Sequence, residues 1–171
     1  MVQNKTKYIF LDRDGVINKD REDFVRKWDE FEFVPGVINS IKTLNDMGFN
    51  IIIASNQSGI ARGFLTEKDL EIIHRKMIEK IEKYGGKILD IFYCPHHPEG
   101  KIKRYEKNCE CRKPKPGMLF KAARLYNIDL SKAWMIGDED RDIYAGRNAG
   151  CRTIKVERNK GLDPVIKILS D

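Results

Sequence analysis

The sequence predicts an α/β fold of three layers, with a parallel sheet of about five strands and helices on both faces. Two observations predict it. Short apolar runs of strand length recur along the chain, and the segments between them carry apolar residues at helical spacing. Strand and helix alternating in this way build βαβ units, whose strands run parallel and are covered on both sides.

Residues 7–12 (KYIFLD) are the first strand, ending in acid. Residues 35–48 form a helix, with Val37, Ile38, Ile41, Leu44 and Met47 along one side and Gly48 as its stop. Residues 49–55 are the second strand. Thr66 caps a long amphipathic helix, with Asp69 three residues on and Leu70, Ile73, Met77 and Ile81 on one face, and Gly85-Gly86 ends it. A third strand spans 88–93, a helix 116–127 and a fourth strand 133–136. A short helix follows over 140–148, then a fifth strand over 152–156, with a final helix after Pro164. Within the long helix, His74 is a surface or packing residue.

At 171 residues the chain fits one compact domain, taken as 1–171 with a metal loop at 94–111. Hydrophobic residues make up 41% and charged residues 34%, an ordinary soluble composition. No apolar run approaches the roughly 20 residues that cross a bilayer. Met1 leads through polar residues into a strand, so no signal peptide is expected and the location is expected to be cytoplasmic. The net charge of +6 suits phosphate-bearing ligands. Without a row of stacking aromatics it does not point to nucleic acid. Nothing demands an oligomer or a membrane, so a monomer is expected.

Three strand ends carry polar residues suited to one reaction: Asp12-Arg13-Asp14-Gly15, Ser55-Asn56-Gln57-Ser58-Gly59, and Gly137-Asp138 with Asp140 and Asp142 close behind. Ligands of open parallel sheets bind at the carboxyl ends of the strands, which puts all three on one rim. Each Asp alone would be read as a turn former or a cap. Carboxylates gathered on a rim repel one another unless a cation joins them, and magnesium takes such hard oxygen ligands. The ion would also neutralise a substrate phosphate while an aspartate attacks it, and aspartate does form acyl-phosphate intermediates. A second Asp two residues on can protonate the leaving oxygen and later activate water. Ser55, Arg112 and Lys113 supply donors and charge for the transferring group.

The four cysteines are Cys94, Cys109, Cys111 and Cys151. Cys94-Pro95-His96 lies 12 residues before Cys109-Glu110-Cys111, and Cys94, His96, Cys109 and Cys111 make a complete tetrahedral zinc set with no open position. A closed site of this kind is structural. It would clamp Arg112 and Lys113, which follow the last ligand, rigidly toward the phosphate. His97 is a surface or second-layer residue, and Cys151 an apolar core side chain.

These motifs, together with residues 55–63 (SNQSGIARG), 94–98 (CPHHP) and 109–118 (CECRKPKPGM), resemble the haloacid dehalogenase superfamily. They resemble in particular its cap-less, zinc-containing D-glycero-D-manno-heptose 1,7-bisphosphate phosphatase branch, from about residue 7 to 156. The resemblance implies a three-layer Rossmann-like sheet with no cap domain. It implies Asp12 as nucleophile, Asp14 as general acid and base, and Ser55 and Lys113 as stabilisers of the phosphoryl group. Magnesium would be held by Asp12, the Asp14 carbonyl and Asp138, and Arg112 would meet the sugar. Further substrate contacts are implied at Arg13, Asp20, Arg21, Glu22, Asp23, Asn56, Gln57, Ser58 and Glu139. The substrate would be a small sugar bisphosphate. Glu139 stands where the family places a Lys, which is expected to repel a second phosphate, and residues 19–28 lack the family's Gly-Tyr. The alternatives are a histidinol-phosphate phosphatase, whose cationic substrate suits Glu139, and a zinc-stabilised binding module without catalysis.

Overall fold

The computed structural model describes residues 6–171; the expectation of no signal peptide falls partly on residues 1–5, outside the described residues. Five parallel strands form one sheet: β1 (Lys7–Leu11), β2 (Phe49–Asn56), β3 (Asp90–Cys94), β4 (Trp134–Gly137) and β5 (Arg152–Lys155), in the order β3-β2-β1-β4-β5. Five helices connect them: α1 (Val37–Asp46), α2 (Glu67–Lys83), α3 (Gly117–Tyr126), α4 (Asp140–Asn148) and α5 (Asp163–Ser170).

Alternation along the central strands sorts the helices into layers. Ile9, Leu11, Ile51 and Ile53 point to one face, where they pack with Val37, Ile41 and Leu44 of α1, Met77 and Ile81 of α2 and Val165 of α5. Phe10, Ile52 and Ala54 point to the other, against Met118, Leu119 and Ala122 of α3 and Ala149 beside α4. Thr66 caps α2 as its sequence predicts: its side chain accepts from the Asp69 amide at 3.1 Å, and the Thr66 amide donates to Asp69 Oδ2 at 2.8 Å.

Most boundaries differ from expectation by one or two residues, as helix and strand ends commonly do. Two of the shifts matter. The second strand continues through Asn56 and the fourth through Gly137, because Asn56 pairs with Cys94 on β3 and Gly137 with Lys155 on β5. Chain order runs outward from β1 in one direction and from β4 in the other, so the topological switch falls between two adjacent strands. Asp12 and Asp138 follow directly on those two strands. Among the described residues no helix is long and apolar enough to cross a membrane.

Candidate active site and metal centre

At the switch point Asp12 leaves β1 with its amide bonded to the Ile136 carbonyl at 3.0 Å. Its Oδ1 accepts from Lys113 Nζ at 2.9 Å, and the same ammonium lies 2.6 Å from Asp142 Oδ1 and donates to the Ala54 carbonyl at 2.7 Å. Lys113 is 2% exposed, so this charge has left water entirely. The Asn56 side chain holds it there, accepting from the Lys113 amide at 3.0 Å and donating to its carbonyl at 3.1 Å.

One ammonium cannot neutralise two buried carboxylates. Burial pushes the Asp12 carboxyl up to about 7; Lys113 pulls the other way, while Asp142 and Asp14 add to the rise. A third carboxylate deepens the deficit. Asp138 Oδ2 accepts from Arg158 Nε at 2.6 Å, while its buried Oδ1 has no partner. Ligand oxygens of Asp12, Asp138 and Asp142 lie within 4.8 Å of one another. Gly15 (φ +85°) turns the loop so tightly beside them that a Cβ there would stand 2.6 Å from Asp138 Oδ2. Gly137 is needed likewise, because its Cβ would fall 2.3 Å from Asp142. An orphaned carboxylate oxygen in an all-oxygen, under-neutralised cluster fits a hard divalent cation.

Asp14 faces the same rim in a different setting. Its Oδ1 accepts from Arg13 Nη2 at 2.8 Å and Asn18 Nδ2 at 2.9 Å, and its Oδ2 from Gln57 Nε2 at 2.8 Å. Burial raises this carboxyl, but the Arg13 charge and these bonds outweigh it and hold the group below its ordinary range. Gln57 also donates to Ser55 Oγ at 2.8 Å, tying the second strand end to the first.

Other expected contacts are distributed unevenly. Arg13 is buried against His74, which is itself buried in the protein and not on the surface. Asp20 joins the rim through Arg158 at 3.2 Å, and its amide donates to Asn159. Arg21 is instead paired with Asp23 on the exposed surface, and Glu22 is exposed beside them. Ser58 is nearly buried. Arg112 reaches the His96 carbonyl at 3.5 Å; burial holds its pKa below the ordinary value, and the like charges of Arg141 and Arg62 contribute. Glu139 is not a free anion: its Oε1 accepts from Arg141 at 2.9 Å and Arg158 at 2.8 Å, so the expected repulsion of a second phosphate is offset by two guanidiniums.

Sequence reasoning gave no role to Asn18 or Arg158, left His74 to surface or packing, and put Asp142 on the rim without assigning it a role. Asp142 had a signal, since it stands in the first turn of α4, directly after the fourth strand end. Asn18 is local to the Asp14 loop, four residues on, whereas His74 and Arg158 are joined to the site only by the fold.

Away from this rim, Cys94, His96, Cys109 and Cys111 converge. The sulfurs are 3.0–3.4 Å apart, and His96 Nδ1 lies 3.7 Å from Cys94 Sγ and 3.4 Å from Cys111 Sγ. All are free cysteines. Three sulfurs and an imidazole nitrogen at such spacing are a soft tetrahedral donor set, whose edges about zinc would be about 3.8 Å. Cys151 stands apart in the core, where burial pushes its thiol up to about 12.

Comparison with known proteins agrees with this arrangement. A family model described as HAD-hydrolase-like matches residues 110–165. The D-glycero-alpha-D-manno-heptose-1,7-bisphosphate 7-phosphatase of Photorhabdus laumondii is 43% identical over 88% of this chain and 81% of its own. The D-glycero-beta-D-manno-heptose-1,7-bisphosphate 7-phosphatase of Escherichia coli K12 is 40% identical over 95% of this chain and 85% of its own. Among solved structures, the D,D-heptose 1,7-bisphosphate phosphatase of B. bronchiseptica, complexed with magnesium and phosphate, superposes with a TM-score of 0.82 at 38% identity. That match covers 94% of this chain and 86% of the other. With relatives this similar along most of its length and a rim of buried carboxylates at the switch point, the chain is a phosphatase and belongs to the haloacid dehalogenase-like family of heptose 1,7-bisphosphate phosphatases.

Proposed function

We propose that this enzyme hydrolyses the 7-phosphate of D-glycero-D-manno-heptose 1,7-bisphosphate, with Asp12 as nucleophile and Asp14 as acid and base. The observation that carries the reading is the under-neutralised cluster of Asp12, Asp138 and Asp142 around Lys113, with one Asp138 oxygen left open. A pure binding module has no use for so costly an arrangement.

A carboxylate oxygen of Asp12 attacks phosphorus, and the bond from phosphorus to the sugar oxygen breaks. Asp14, an anion in the free protein, takes up a proton from water as the phosphate dianion enters beside it and gives that proton to the leaving oxygen, leaving the free heptose hydroxyl and an acyl phosphate on Asp12. Asp14, now a carboxylate, takes a proton from water as the water oxygen attacks phosphorus. Inorganic phosphate leaves and Asp12 is regenerated. Lys113 and Ser55 donate to the phosphoryl oxygens as charge gathers on them. Magnesium, held by Asp12, Asp138 and the Asp14 carbonyl, would neutralise the charge of the approaching phosphate when bound. Zinc in the Cys94, His96, Cys109 and Cys111 set would hold the loop that presents Arg112 and Lys113.

The test is kcat/KM at saturating magnesium for both anomers of the heptose bisphosphate and for histidinol phosphate. A preference of a hundredfold or more for either heptose, about 2.7 kcal/mol of transition-state binding, is the expected result. Comparable rates on all three, or a preference for histidinol phosphate, would overturn the substrate and leave the phosphoryl chemistry intact.

A further inference from the structure

Arg13 is 1% exposed and lies between the two aspartates of its loop. A guanidinium carries donors and no acceptor. Nη2 donates to Asp14 Oδ1 at 2.8 Å, Nη1 lies 3.1 Å from His74 Nε2, and the buried Nε has no partner. The Phe31 ring lies 5.9 Å away on another side. Because Arg13 can only donate, His74 Nε2 must accept, which places the ring proton on Nδ1. The imidazole comes from the middle of α2, 61 residues along the chain, and its ring meets Tyr93 edge-on at 6.0 Å.

We infer that His74 is a positioning residue for Asp14: accepting from Arg13 Nη1, it fixes the guanidinium so that Nη2 holds the Asp14 carboxyl in one place on the rim. The inference rests on the reading of Asp14 as acid and base. A histidine kept only for packing could be replaced by an apolar residue of similar size without cost to the reaction. Here such a replacement would leave a buried guanidinium with two of its nitrogens unpartnered, and it would turn to find an acceptor. Burial and the Arg13 charge push the His74 pKa down to about 3, so the ring stays neutral and able to accept wherever the enzyme works.

The experiment compares two phosphate esters in each variant. Phenylethyl phosphate has a poor leaving group that needs a proton, whereas p-nitrophenyl phosphate has a good one that does not. General acid catalysis contributes roughly 10²–10⁴-fold where a proton is needed, so the ratio of the two kcat/KM values reports on Asp14. The ratio also cancels the folded fraction of each variant. His74→Phe keeps the ring packing and removes the acceptor, with His74→Leu as a second variant should Phe fail to fold. The expected result is a fall in the alkyl-to-aryl ratio of about tenfold or more in these variants, a larger fall in Asp14→Asn, and recovery to within about threefold of wild type in His74→Gln, which restores an acceptor. An unchanged ratio in His74→Phe or Leu, beside a lowered one in Asp14→Asn, overturns the inference. So does a His74→Gln as impaired as Phe. An unchanged ratio in Asp14→Asn removes the acid role of Asp14, and the role of His74 falls with it.

Discussion

Single residues at this rim hold more charge than the surrounding protein comfortably accommodates. Asp12 accepts from an ammonium that it shares with Asp142, while Asp138 depends on Arg158 from outside. The energetic consequence is testable at Asp12. Because the folded protein prefers this carboxyl protonated, Asp12→Asn removes a repulsive charge without removing volume. In magnesium-free buffer near pH 8 its Tm is expected to match or exceed that of the wild type, while turnover falls by about a thousandfold or more. A variant that melts well below wild type would mean that the Asp12–Lys113 pair is a net stabiliser, and wild-type rates would remove Asp12 as nucleophile. Gly15 belongs to the same scale. In Gly15→Ala the new methyl would press on Asp138 at a positive φ, so a loss of about 1–3 kcal/mol in stability is expected from denaturant titration.

Elements differ in how much of them the sequence revealed. The strands were legible as short continuous apolar runs, the helices because their apolar residues recur at a period of 3.6, and the α2 cap because Thr66 and Asp69 stand three apart. The Cys94–Cys111 loop was legible because its donors are close in sequence. Arg158 was not, since nothing in the sequence around it marks it; it joins Asp20, Asp138 and Glu139 only because β5 lies beside β4. For His74 the packing alternative holds and the surface one does not, and its partner was hidden for the same reason: spacing along α2 says which side it occupies but not that a buried arginine waits there. The loop carries its own prediction. Cys109→Ser is expected to lower bound zinc and to reduce Tm by roughly 5–15 °C, since structural metal binding is linked to folding and each kcal/mol moves Tm by about 2–4 °C at this size. Metal analysis and calorimetry read both, and loss of zinc with an unchanged Tm would contradict a structural role.

At the scale of the whole molecule, the sheet topology collects its acids at one point, so stability depends on pH through that point. For Asp12 the folded pKa of about 7 lies above the ordinary value of 3.8. Between these values the unfolded chain has given up its proton while the folded one keeps it, so stability falls as pH rises from about 4 to 7 and the cost is complete above that. A shift of this size corresponds to at most about 4 kcal/mol. Asp14 runs the other way: its lowered pKa adds stability that is present above its unfolded value and lost as pH falls through the folded one. That window lies below pH 4 and does not overlap. A divalent cation binds the ionised form of Asp12, so it should relieve a cost that is present at pH 8 and largely absent at pH 5. Magnesium is therefore expected to raise Tm more at pH 8 than at pH 5, and Asp12→Asn should flatten the difference. Calorimetric scans of both proteins, with and without excess magnesium, measure it directly. Equal magnesium shifts at the two pH values would mean that the cluster is already neutralised in the free protein, and that the open oxygen of Asp138 is not waiting for a cation.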